Sequence, residues 1–334
     1  MKVLLYSAKA YEQKQLDRYL QEHTCSYTLE ALSDETVYLA KGFEAVCLFS
    51  GDIADESVIV KLAKLNVKYI ATRSVGYEHI DIEAANRYGI SVANVPAYSP
   101  YSVSEFAVTL LLCLVRKIKQ VNSRFENNDF TLNGLVGFDL HGKQVGLIGC
   151  GRIGSNIARI MRGFGCDVSV YDPLLSKDNP EGFTMASLDT LYSTSDIIFL
   201  SCPLNASTHH LINEQAFAKM SRDIILVNTA RGAVIDTMAL LEVLELDSIG
   251  GIAMDVYEYE KGLYFSDYSD KNIDDPIFEL LRNNDKVLMT PHIGFLTKEA
   301  LVGRAVTTNQ NLSQWEKLGV CENQLTTQPQ MAKI

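Results

Sequence analysis

Three polar residues, far apart in the chain, each stand at or just beyond a short apolar run. Arg231 follows 224–229 in N-T-A-R-G, Glu260 follows 249–256 in D-V-Y-E-Y-E, and His292 follows 286–290 in T-P-H-I-G-F. An arginine fork holds a carboxylate through two parallel hydrogen bonds. A histidine passes a proton to or from an oxygen near neutral pH. A carboxylate beside that histidine raises its pKa and fixes its tautomer. Together they form the set that reduction of a carbonyl next to a carboxylate needs. Taken singly, each has a plainer reading: a structural salt bridge for Arg231, a solvated turn for Glu260, a packed ring for His292. Glu258, two residues before Glu260, is the alternative carboxylate.

The joint reading gains force from a nucleotide fingerprint in the same chain. Gly149-Cys150-Gly151-Arg152-Ile153-Gly154 is a G-x-G-x-x-G that directly follows a strand-like run and opens a helix-like one. The first glycine permits the tight turn, the second lets a pyrophosphate approach the backbone, and the third allows close helix–strand packing. The helix N-terminus supplies N–H groups and a positive dipole. Asp172 ends the next apolar run, 18 residues after Gly154. A carboxylate there binds both ribose hydroxyls and repels a 2′-phosphate, so the expected cofactor is NAD rather than NADP.

Positioning these residues requires a parallel sheet. Apolar runs at 2–7, 45–50, 69–74 and 91–95 alternate with helical spacing at 11–21, 57–65 and 82–88. The pattern restarts with strands at 144–149, 167–172, 196–201, 224–229, 249–256 and 286–290, and with a helix at 152–163. Alternation of this kind implies parallel strands with helices on both faces, and two series imply two α/β domains. The expected fold is two Rossmann- or flavodoxin-like doubly wound domains with a cleft between them. One is discontinuous, 1–98 plus 299–334, and carries the substrate; the other, 99–298, carries NAD. In such sheets ligands bind beyond the carboxyl ends of the strands, where Arg231, Glu260 and His292 fall. Between the series, 102–125 has neither Pro nor Gly and reads as one long helix, apolar on more than one side. A helix of that kind must be buried, by bridging the domains or by pairing in a dimer. A last helix spans 298–318, and the polar residues 326–334 are expected to fray.

Composition narrows the class further. The 334 residues exceed what a single core usually holds, and 47% hydrophobic with 21% charged residues is a globular balance. The net charge of −11 and the absence of a dense Lys/Arg run argue against nucleic-acid or anionic-membrane partners. The longest apolar stretch, 106–115, is about half of a membrane span, and the first residues do not read as a secretory signal. Seven scattered cysteines without a C-x-x-C read as reduced thiols in a cytoplasmic protein, and no metal site is expected.

Beyond these physical arguments the chain resembles the D-2-hydroxyacid dehydrogenases, and within them the fermentative lactate branch. The similarity runs through T-R-S-V-G-Y-E-H-I-D (72–81), N-V-P-A-Y-S-P (94–100), G-C-G-R-I-G (149–154), V-Y-D-P (170–173), N-T-A-R-G (228–232), D-V-Y-E-Y-E (255–260) and P-H-I-G-F-L-T (291–297). The resemblance implies that Arg231, Glu260 and His292 are catalytic and that Asp172 binds ribose. It implies substrate contacts from the Val75 and Gly76 amides, from Tyr98 and from Phe295. Cofactor contacts are implied for Arg152, Ile153, Cys202, Pro203, Thr208, Thr229, Ala230 and Asp255. It further implies a homodimer through the 102–125 region. Cys150 departs from the Thr or Leu usual in the fingerprint, and Gly294 stands where lactate-type members often carry Ala. Phe295 and the aromatic, acidic loop 262–276 agree with the lactate branch. The reaction so implied is reversible reduction of pyruvate to D-lactate by NADH, with His292 as acid and Arg231 on the carboxylate. The alternatives are a bulkier branched-chain or phenyl keto acid, or an NAD-sensing regulator without turnover.

Overall fold

The structure is a computed structural model and describes residues 1–175 and 183–326. Most of the expected fraying segment, 327–334, lies outside the described residues. Its first residue departs from that expectation: Thr326 is buried, and its Oγ1 accepts the Val92 amide at 3.0 Å. The chain divides into two compact units, Met1–Ser99 with Leu296–Ile334, and Pro100–Phe295. Both are α/β units built on all-parallel sheets, in agreement with the fold class read from the sequence.

In the first unit, strands β1 (Lys2–Leu5), β2 (Thr24–Tyr27), β3 (Ala45–Leu48), β4 (Tyr69–Thr72) and β5 (Ser91–Ala93) run in the order β2-β1-β3-β4-β5. This is the flavodoxin order. Every residue of β3 is buried, as a central strand covered on both faces requires. One face carries Leu4, Val46, Leu48, Ile59, Leu62 and Ile70; the other carries Val3, Leu5, Cys47, Ala71, Leu312 and Trp315. The helices begin where the sequence offers caps. Asp55 accepts from the Val58 amide ahead of helix Glu56–Lys64, and Asp81 accepts from the Ala84 amide ahead of helix Ile82–Arg87. The helix Lys298–Leu318 starts at a Thr297 cap and stops at Gly319, whose φ of +74° suits glycine.

In the second unit the strands are β6 (Gln144–Ile148), β7 (Asp167–Tyr171), β8 (Thr184–Met185), β9 (Ile197–Leu200), β10 (Ile225–Asn228), β11 (Gly251–Met254) and β12 (Val287–Met289). Their order is β12-β11-β10-β9-β6-β7-β8. The chain order reverses between β6 and β9, so the loop after β6 opens at the switch point where nucleotides bind. The helix expected over 102–125 is two helices, Pro100–Val115 and Ile118–Glu126. Lys117 breaks it with a left-handed backbone at φ +54°, and its Nζ donates to the Gly134 carbonyl. The first piece is buried by its own unit. Ala107, Val108, Leu111 and Val115 pack with Ile157, Ala158 and Met161 of the fingerprint helix and with Val145, Leu147 and Val227 of the sheet. That contact satisfies the apolar faces that the sequence reading assigned to a domain bridge or a dimer. The second piece has no buried residue.

Candidate active site

The fingerprint glycines differ in what surrounds them. Gly149 has φ +91°, and a Cβ there would meet the Ser201 backbone at 2.6 Å. A Cβ on Gly154 would meet the Gly149 carbonyl oxygen at 2.2 Å, so this glycine lets helix Arg152–Gly163 press against the loop. Among the described residues nothing lies within 4 Å of the Cβ position of Gly151. It caps the helix without a side-chain bond, so the first-turn amides are left for another acceptor. An open cradle at Gly151, backed by those amides, fits a pyrophosphate. Asp172 follows β7, where Oδ2 accepts the Cys150 amide and Oδ1 the Leu174 amide, both at 2.8 Å. The first bond ties the carboxylate to the fingerprint loop, and the second fixes it in its own turn. Ser104 Oγ donates to the Pro100 and Ile153 carbonyls, joining helix Pro100–Val115 to the same loop.

The other residues with implied nucleotide contacts follow β9 and β10. Cys202 is buried, and burial pushes its thiol up to about 11. Pro203 is exposed and Thr208 partly so. Thr208 Oγ1 donates to the Pro203 carbonyl and accepts the Asn205 amide, closing that turn. Thr229, Ala230 and Arg231 form the turn after β10, clamped by the fully buried Asn228. Asn228 Oδ1 accepts from the Ala230 amide and its Nδ2 donates to the Arg231 carbonyl, each at 3.0 Å. Arg231 Nη1 donates to the Ala230 carbonyl at 2.8 Å. The next residue, Gly232, lies so close to the Tyr257 backbone that a Cβ would stand 2.1 Å from its carbonyl carbon. The turns after β10 and β11 are therefore in backbone contact.

Glu260 and His292 are paired. His292 Nδ1 lies 2.8 Å from Glu260 Oε1, and Glu260 Oε2 accepts the Tyr257 amide at 3.0 Å. His292 holds φ +56°, an uncommon conformation for a residue with a side chain, of the kind that clusters at functional sites. Asp255 enforces it. Its Oδ1 accepts from Thr290 Oγ1 at 2.6 Å and from the Ile293 amide at 2.9 Å, and its Oδ2 from the Gly294 amide at 2.7 Å. Burial raises the Asp255 carboxyl above its usual range, against the opposing pull of those bonds and of His292. Asp255 is thus occupied in holding the loop, and only Oδ2 retains acceptor capacity for a ligand. Phe265 lies against His292 with ring centroids 5.7 Å apart, and Phe295 is buried. A Cβ on Gly294 would stand 3.0 Å from Asp255 Oδ2 and 3.3 Å from the Phe106 ring, which accounts for glycine there.

Val75, Gly76 and Tyr98 belong to the other unit. The turn after β4 is pinned by its carbonyls. Ser74 O accepts the Val95 amide, Val75 O accepts from Asn94 Nδ2, and Gly76 O accepts from Ser74 Oγ. The Val75 and Gly76 amides have no acceptor among the described residues. Tyr98 packs by its backbone on the last helix, where a Cβ on Gly303 would meet its carbonyl at 2.6 Å. The supporting residues Asn228, Thr290 and Phe265 were not singled out from sequence. Asn228 had a usable signal, as an asparagine at the mouth of a turn.

Comparison with known proteins agrees with this architecture. The family described as "D-isomer specific 2-hydroxyacid dehydrogenase, NAD binding domain" matches residues 108–294. D-lactate dehydrogenase of Escherichia coli (strain K12) is 42% identical over 332 residues, 97% of this chain and 100% of that protein. The apo-structure of D-lactate dehydrogenase from Escherichia coli aligns with a TM-score of 0.87 and 39% identity, covering 98% and 100% of the two chains. An aromatic 2-oxoacid reductase of Clostridium sporogenes (strain ATCC 15579) is 38% identical over 327 residues, 97% of this chain and 99% of that protein. D-lactate dehydrogenase from Aquifex aeolicus, complexed with NAD and lactic acid, aligns at TM-score 0.84 and 32% identity, covering 94% and 95%. The chain belongs to the D-isomer specific 2-hydroxyacid dehydrogenases. It is an NAD-dependent oxidoreductase acting on 2-keto and 2-hydroxy acids.

Proposed function

We propose that the enzyme reduces pyruvate to D-lactate, and that Arg231, Glu260 and His292 are its catalytic residues. The observation that carries this reading is the His292–Glu260 pair at 2.8 Å, held by Asp255 beyond the carboxyl ends of β11 and β12. NADH, when bound, supplies the hydride to the carbonyl carbon. With Nδ1 committed to Glu260, His292 delivers its proton from Nε2 to the carbonyl oxygen, and the alcohol forms. In the reverse direction Nε2 takes that proton back. Glu260 fixes the ring's tautomer and balances its charge while it is protonated. Arg231 orients the substrate carboxylate through its fork, and in the other unit the Val75 and Gly76 amides are the substrate donors we propose. Asp172 selects NAD by occupying the place a 2′-phosphate would need.

The ring of Phe265 beside His292 favours a substrate with a small side chain. The similarity to an aromatic 2-oxoacid reductase supports the second reading, a phenyl keto acid. We infer a cytoplasmic location from seven free cysteines. Among the described residues no helix is long and apolar enough to cross a membrane. NADH oxidation measured with pyruvate, 2-ketoisocaproate and phenylpyruvate decides the substrate. Pyruvate is expected to show the highest kcat/KM; a larger acid in first place replaces it, and no turnover with any acid sinks both readings.

A further inference from the structure

His209 and His210 lie in the segment after β9, apart from the Arg231, Glu260 and His292 set. His210 has a left-handed backbone at φ +51°, with its amide bonded to the Ala233 carbonyl at 2.8 Å. That conformation brings its Nε2 to 2.7 Å from Glu258 Oε1. Glu258 is held in turn, because its Oε2 accepts the Thr237 amide at 3.2 Å. Asp236 caps the next helix through Oδ1, while its Oδ2 faces His210 Nδ1 at 3.7 Å. A carboxylate behind a ligating imidazole is a common outer layer of metal sites. His209 stacks on His210, with ring centroids 4.0 Å apart. One donor atom from each of His209, His210 and Glu258 lies within 4.8 Å of the others.

We propose that His209, His210 and Glu258 form a binding site for a divalent transition-metal cation of the zinc class. Two imidazoles and a carboxylate suit zinc, whereas magnesium and calcium prefer oxygen alone. Donors around a tetrahedral zinc stand roughly 3.4 Å apart, from bonds of about 2.1 Å. The 2.7 Å between His210 and Glu258 must widen slightly to admit the ion, and His209 must swing towards it. Its side chain is exposed, so the turn disturbs only its stack on His210. On binding, the ion replaces the proton between His210 Nε2 and Glu258, which leaves to solvent. The ion would also brace the reaction centre. Glu258 is two residues from Glu260, and its backbone amide would lie 2.3 Å from a Cβ on Gly232, the neighbour of Arg231.

The test titrates the full-length, reduced protein with zinc chloride by calorimetry, follows Tm in parallel, and locates the ion by anomalous diffraction from zinc-soaked crystals. One equivalent is expected to bind, raise Tm and appear between the three side chains. His209→Ala alters only an exposed ring, so the fold stays intact. It should weaken the affinity at least about tenfold and shrink the Tm rise at the same zinc concentration. The proposal is overturned by no binding at submillimolar zinc, by unchanged affinity in His209→Ala, or by an ion found on a cysteine or at His292.

Discussion

At the residue scale, the pairing of His292 with Glu260 is more demanding than a charge contact. Glu260 accepts from two donors with two different oxygens, His292 Nδ1 on Oε1 and the Tyr257 amide on Oε2. Glutamine has one acceptor oxygen. In Glu260→Gln either His292 or the Tyr257 amide faces an NH2 group, so the ring loses its orientation or the turn loses its anchor. A positioned acid–base group contributes about 10²–10⁴-fold, and the expected fall in kcat is at least about 10²-fold. NADH binding, which does not involve this pair, should stay near normal. Steady-state kinetics with pyruvate and a fluorescence titration with NADH measure the two quantities. A kcat close to that of wild type would show that Glu260 is not the partner the reaction needs.

At the scale of elements, the two fingerprint glycines separate structure from ligand binding. Gly154→Ala drives a methyl into the Gly149 carbonyl, a backbone atom that cannot step aside, whereas Gly151→Ala meets nothing among the described residues. Overpacking of this kind costs about 1–3 kcal/mol, and each kcal/mol lowers Tm by roughly 2–4 °C in a domain of this size. Gly154→Ala should therefore melt several degrees lower. Gly151→Ala should keep its Tm and lose NADH affinity, because the new methyl fills the cradle. Unchanged NADH affinity in Gly151→Ala would move the pyrophosphate elsewhere. These positions were legible in the sequence because an apolar strand, a glycine pattern and a helix are all local signals. The same is true of most strands and helices in both units, whose cores are continuous apolar runs. Strand β2, Thr-Cys-Ser-Tyr, was not legible: it lies at a sheet edge, alternates between exposed and half-buried residues, and carries no apolar run. Nor was the break at Lys117, which contains neither Pro nor Gly and follows from where the domain core ends. The bonds of Asn228 and Asp255 are likewise set by tertiary contact between turns that sequence spacing does not record.

At the scale of the whole molecule, one exposed apolar surface is suited to self-association. Half of helix Pro100–Val115 is buried in its own unit, and we propose that the homodimer implied by the family resemblance pairs through Ile118–Glu126 and the segment after it. Phe125 is 66% exposed, Phe130 67%, Leu132 78% and Val136 83%. Phe125 and Phe130 pack edge to face at 5.7 Å, so the patch is organised without being covered. A chain with net charge −11 repels its copies at long range, and apolar burial must overcome that to pair them. Exposed apolar clusters of this kind mark protein contact sites. Phe125→Glu with Leu132→Glu places two more negative charges on the patch and removes two of its large apolar side chains. The wild type should sediment as a dimer of the 37.1 kDa chain, and the double variant as a monomer at the same concentration. Far-UV circular dichroism should be unchanged, since neither side chain is buried. A wild type that is monomeric throughout, or a double variant that remains dimeric, would remove this surface from the assembly.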